Sequence, residues 1–182
     1  MVLDEMHFEV LNVLNKLQVA DKQQIVKRTG FSNETLSKLL YECVAYGIAC
    51  ENIIQMNDGK KIELYIVDTG GIFALKESGI NYRVLPYTSS IDERLKIYRR
   101  NIFLTNSETR GGNNTVKFLE EFANPEDFTI TSPGVVLLFD SGICRRAGVT
   151  EEVEKIAAAI KEKNPSATFY DLAEEKIFSK RY

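Results

Sequence analysis

Apolar residues recur at helical intervals from the start of the chain. Leu11, Leu14 and Leu17, with Phe8, Val10 and Val13, predict an amphipathic helix over residues 6–17. A shorter helix over 21–28 follows, with Asp21 as its cap and Ile25 and Val26 on its buried side, and Gly30 supplies the positive φ of a tight turn. Ser32 is an N-cap for a third helix in which Leu36, Leu39, Leu40, Cys43 and Val44 form one apolar stripe, and Gly47 ends it. The opposite face carries Glu34, Ser37, Lys38 and Tyr41.

The period then changes from helical to strand-like. Residues 48–56 and 60–67 read as two strands joined by Asn57-Asp58-Gly59, whose Asp-Gly step is a strong hairpin signal. A short helical turn over 72–77, closed by Gly79, leads into an irregular connection over 81–88 containing Pro86. The predicted organisation is an N-terminal domain over 1–79, a linker over 80–89 and a second domain over 90–182.

The second half opens on Ser90-Ile91-Asp92-Glu93, a capping box that predicts a helix to about Phe103. A loop with Gly111-Gly112 over 105–114 and a short helix over 115–122 are expected next, the helix ending before Pro125. Residues 128–131 and 135–139 are β-rich and split by Ser132-Pro133-Gly134, and 167–170 is a third strand. Between them a helix is predicted with Thr150 as cap, Glu151 and Glu152 in its first turn, and Val153, Ile156, Ala157 and Ile160 on its buried stripe. Strand, helix, strand implies a small α/β layer of undetermined strand order. The fold class expected is therefore α+β.

Helix, helix, turn, helix and hairpin within seventy residues are the parts of a winged helix-turn-helix. The run Ile25-Val26-Lys27-Arg28-Thr29-Gly30-Phe31-Ser32, through Thr35-Leu36 and Leu39-Leu40 to Tyr46-Gly47-Ile48, resembles that superfamily over roughly residues 3–79. The whole arrangement is similar to replication-relaxation proteins of bacterial plasmids and integrative elements. The resemblance implies that the third helix enters the major groove and that the hairpin tip lies on adjoining backbone. The DNA-binding candidates are then Ser32, Asn33, Thr35, Ser37, Lys38 and Tyr41 on the helix, and Lys60 and Lys61 on the wing. The expected function is that of a DNA-binding transcriptional regulator or an accessory factor of plasmid replication. Its expected partners are double-stranded DNA, a second copy of the chain in a homodimer, and a protein partner at the second domain.

Charge complicates that picture. The chain is acidic, with 23 Lys and Arg against 26 Asp and Glu. Residues 1–79 hold eight of the basic residues and eleven of the acidic ones, 8 − 11 = −3, so any contact with phosphates must be local. The alternative is an interaction adaptor whose winged helix meets proteins instead. No stretch is long and apolar enough to span a membrane, and the cytoplasm is the expected compartment.

Other chemistry is weakly signalled. Asp68-Thr69-Gly70 matches the turn of aspartic proteases, which need two such aspartates, and occurs once. Gly111-Gly112-Asn113-Asn114 lacks the Lys-Ser/Thr of a phosphate loop. Asp140, Asp171, Glu174 and Glu175 do not form a nuclease motif, and a single histidine, His7, does not make a paired-histidine metal site. Three cysteines without CxxC spacing argue against a zinc site or a disulfide framework. Lys96, Arg99 and Arg100 share a helix face that fits either an extended phosphate footprint or a solvated surface. No enzymatic activity and no cofactor or metal are expected.

Overall fold

The computed structural model describes residues 3–55, 59, 61–85, 88–108, 115–118, 135–165 and 167–174. The chain divides into two compact units, Met1–Tyr98 and Arg99–Tyr182. The class is α+β, as expected from the pattern.

The first unit opens with α1 (Glu5–Leu17), α2 (Lys22–Thr29) and α3 (Asn33–Ala45). Each begins on a side chain that accepts a backbone N–H: Asp4 from His7, Asp21 from Gln24, and Ser32 from Thr35. At α2 the cap is reciprocal, since the Gln24 side chain also accepts from the Asp21 N–H. Gly30 ends α2 in the left-handed region, φ 74°, and frees the chain to turn into α3.

The hairpin consists of β1 (Ala49–Gln55) and β2 (Lys61–Val67), antiparallel from Ala49 opposite Val67 to Gln55 opposite Lys61. Residues 56–58 and Lys60, which include most of the predicted turn, lie outside the described residues. A third, very short partner adds to this sheet where Ala20, between α1 and α2, bridges Tyr65. The Ala20 N–H donates to Tyr65 O at 3.1 Å and the Tyr65 N–H to Ala20 O at 2.8 Å. Helix, bridge, two further helices and a two-stranded hairpin, in this order, agree with the winged helix-turn-helix arrangement expected from the pattern.

One core unites these parts. Val10, Leu11 and Leu14 from α1, Ile25 from α2, Leu36, Leu39, Leu40 and Cys43 from α3, and Ala49, Tyr65 and Val67 from the hairpin are buried together. Burying one such aliphatic side chain contributes about 1.5–3 kcal/mol. Val44, expected on the same stripe, is exposed at its edge, because the stripe closes with Leu40 and Cys43.

The helix α4 runs over Thr69–Glu77, three residues longer at its start than the pattern predicts, with Asp68 as its cap. The Asp68-Thr69-Gly70 segment is therefore a helix N-terminus. Gly71 faces Leu11 and the backbone of Ile48 so closely that a Cβ would fall on the Ile48 carbonyl oxygen, which is why the chain has glycine there. The connection after α4 is tied to α1: the buried Asn15 amide donates to Asn81 O at 3.1 Å, and its carbonyl accepts the Arg83 N–H at 2.8 Å. Residues 80–85 thus belong to the first unit.

The long helix α5 (Ile91–Glu108) starts beyond Ser90, whose hydroxyl accepts the Glu93 N–H at 3.1 Å. It runs five residues past the expected end at Phe103, so 105–108 are helix and not loop. In the first unit Tyr98 donates to Asp21 Oδ2 at 2.6 Å and Arg94 to Asn52 Oδ1. Burial and the Asp21 carboxylate together push the Tyr98 phenol well above its ordinary range.

The second unit is a three-stranded parallel sheet, order β3-β4-β5, from Thr115–Phe118, Val135–Phe139 and Thr168–Asp171. Residues 115–118 correct the helix predicted over 115–122. Thr115, Val116 and Phe118 suit a pleated surface, and β4 supplies backbone partners that helical periodicity cannot reveal. The strand predicted over 128–131 lies outside the described residues.

Between β4 and β5 the chain crosses over through α6 (Ser141–Ala147) and α7 (Thr150–Lys163). The pattern does not predict α6. Val149, with no side-chain cap, precedes α7, so Thr150 is its first helical residue and not its cap. Leu137 and Phe139 pack with Cys144, Val153 and Ile160, whereas Leu138 packs with Phe103 and Leu172. The alternation along β4 therefore buries both faces of the sheet.

Candidate nucleic-acid interface

The sequence of α3 divides its circumference. Leu36, Leu39, Leu40 and Cys43 face the core at a spacing of three and four, which forces Glu34, Ser37, Lys38 and Tyr41 outward. Ser37 and Lys38 are exposed, and Tyr41, one turn on, is 76% exposed. These three residues share one face and offer two hydroxyls and an ammonium group, groups that donate to base edges and phosphates.

The N-terminus of α3 is more committed to the fold. The Ser32 oxygen accepts the Thr35 N–H at 3.1 Å, and its hydroxyl donates to Thr35 Oγ1 at 2.9 Å. Thr35 is only half exposed. Ser32 and Thr35 therefore serve first as a cap, while Asn33, the first helical residue, is exposed beside them. On the wing, Lys61 is exposed at the start of β2, and Lys60 lies outside the described residues. The predicted residues of α3 thus share one helix and Lys61 stands on a separate element.

The hairpin is two-sided. Ile54, Ile62, Leu64 and Ile66 are buried, while Glu51, Ile53, Gln55, Lys61 and Glu63 are exposed. Two acids on the face shared with Tyr65 are engaged: Glu51 accepts from the Tyr65 hydroxyl at 2.7 Å, and Glu63 pairs with Lys22 of α2 at 3.6 Å. Burial and Glu51 push the Tyr65 phenol far up, so it remains a donor.

A group that the sequence did not reveal flanks α3. His7 is 6% exposed. Its Nδ1 lies 2.6 Å from Asp4 Oδ1 and its Nε2 2.9 Å from Glu42 Oε2. Hydrogen bonds from its own cap, chiefly the His7 backbone N–H and then the His7 ring, hold the Asp4 carboxyl below the ordinary aspartate range. Next to Glu42, burial pushes the Cys43 thiol up to about 11, with the charges of Glu42 and Asp4 adding to it. The sequence offered one hint, a histidine three residues after a capping aspartate; Glu42 is thirty-five residues away.

In the second unit, Arg99 donates to Asp140, which is fully buried and whose Oδ1 also accepts the Ile143 N–H at 2.9 Å. Arg99 is therefore an interior ion-pair partner and belongs neither to a phosphate footprint nor to a solvated face. Asp171 accepts the N–H groups of Ser141 and Ala173 at 3.0 and 2.9 Å. Both aspartates are occupied in holding the ends of β4 and β5. Among the described residues no three metal-ligating side chains converge, and no helix is long and apolar enough to cross a membrane.

No family model and no curated protein matches the chain. Among solved structures, PadR of Bacillus subtilis in complex with operator DNA is similar to 87% of this chain and 95% of that one, at a TM-score of 0.38 and 12% identity. At those values the likeness carries no weight for what this chain does.

Proposed function

We propose that the protein binds double-stranded DNA through the outward face of α3, with Ser37, Lys38 and Tyr41 meeting base edges and phosphates and Asn33 near the helix start. Lys60 and Lys61 would touch backbone at the wing. The observation that carries this reading is the exposure of that polar face on a helix whose other side is locked into the core of a winged helix-turn-helix.

The reading includes a regulator of transcription or an accessory factor of plasmid or mobile-element replication, acting as a homodimer on paired half-sites, with the second unit free to meet a protein partner. It involves no catalytic step. A dimer of such helices reads two half-sites one helical turn apart, which raises both affinity and selectivity.

A second reading, a winged helix that docks on proteins, is favoured by the acid excess of residues 1–79 and by the exposed aromatic rings of Tyr46 and Phe73. Selection of bound fragments from a genomic library, followed by titration across salt concentrations, separates the two. Binding whose logarithm falls linearly with the logarithm of salt supports the DNA reading. No enrichment and no binding at low salt would sink it.

A further inference from the structure

We infer that His7 is a charge-compensating positioning residue for α3: it pairs with the Glu42 carboxylate and holds it aside, so that the helix approaches phosphates without an unpaired acid. The inference rests on the DNA-binding reading above and specifies how that site is controlled.

Glu42 sits one residue beyond Tyr41 and one turn beyond Lys38, on the flank of the outward face, and its side chain is 30% exposed. A free carboxylate there would repel the phosphate backbone. It is not free, because His7 Nε2 meets it at 2.9 Å while Nδ1 meets Asp4 at 2.6 Å. A neutral imidazole has one N–H, so it satisfies one carboxylate and turns a lone pair toward the other. Both contacts are favourable only when the ring carries both protons and a positive charge.

The titratable groups at the ring are Asp4 from the cap of α1, and Glu42 and the Cys43 thiol from α3. Asp4 is held in its charged form by the cap and fixes the ring's orientation. The thiol, raised to about 11, contributes no charge near neutrality. Without the ring's contact Glu42 stands uncompensated beside Tyr41.

The test uses the full chain and a fluorescent mixed-sequence duplex of about 30 base pairs, long enough for either binding mode. His7→Gln is expected to weaken binding about fivefold at low salt, the scale of one partly screened charge near the backbone. Adding Glu42→Gln should restore the parent affinity. Glu42→Gln alone removes an acid from the flank of α3 and should bind at least as tightly as the parent. That variant decides the matter if His7→Gln fails to fold: binding weaker than the parent's overturns the role.

Because His7 is the single histidine, nitrogen-15 spectra report its two ring nitrogens without ambiguity. Both should carry a proton under the conditions of the titration, as contact with two carboxylates requires. Duplex binding with no rescue by Glu42→Gln, or a ring with a single protonated nitrogen, overturns the role of His7 alone. A parent that binds no duplex overturns the DNA reading and this role with it; a doubly protonated ring would then mark only a structural clamp.

Discussion

At the scale of single residues, two positions separate binding from folding. Lys38 is exposed on α3 with Ser37 and Tyr41, so Lys38→Glu reverses a charge without touching the core. Duplex affinity should fall at least tenfold, the order expected for replacing one phosphate contact by a repulsion, while the melting temperature stays within about a degree. Unchanged affinity in a titration at moderate salt would count against α3 as the reading helix. Asp4 belongs to the fold instead. Its carboxyl is held below its ordinary value, so its contribution to stability is present above the unfolded value of about 3.9 and is lost as pH falls through the lower folded value. Thermal melts of Asp4→Asn should be less sensitive to pH below about 4 than those of the parent.

At the scale of elements, legibility followed how local the causes were. The helices α1, α2 and α3 were read from caps and stripes within each segment, and the hairpin from Asp58-Gly59 and the flanking β-rich runs. The errors fell where a distant partner decides. Thr115–Phe118 is a strand because β4 lies alongside it, and α6 follows from the need to cross from β4 to β5. The outward residues of α3 were legible from the stripe opposite them, but the pairing of Glu42 with His7 was not, since it depends on how α1 packs against α3. Gly71 belongs to this scale too, because it lets the N-terminal turn of α4 press on Ile48 and Leu11. Gly71→Ala should destabilise the protein by about 1–3 kcal/mol through overpacking, measured by urea denaturation, and a neutral result would mean that α4 moves away freely. The wing is tested separately: with Lys60 and Lys61 both changed to Ala, binding should weaken on all sequences alike, with a shallower salt slope.

At the scale of the whole molecule, each unit has its own core, and one ion pair tests how far their stabilities are linked. Asp140 is completely buried in the second unit, where it caps α6 through the Ile143 N–H and accepts from Arg99. Replacing Arg99 by Met retains much of the side-chain volume but leaves a buried carboxylate without its cation. Such a loss costs about 3–5 kcal/mol, unlike replacement of both partners by apolar residues, which is often neutral. Hydrogen exchange followed by peptide should therefore show faster exchange throughout β4, α7 and β5 in Arg99→Met. If the units unfold independently, α1, α2 and α3 keep their protection and duplex binding survives. Protection lost equally in α1 would show that the two cores melt as one cooperative body, and the second unit would then set the stability of the outward face of α3 as well as its own.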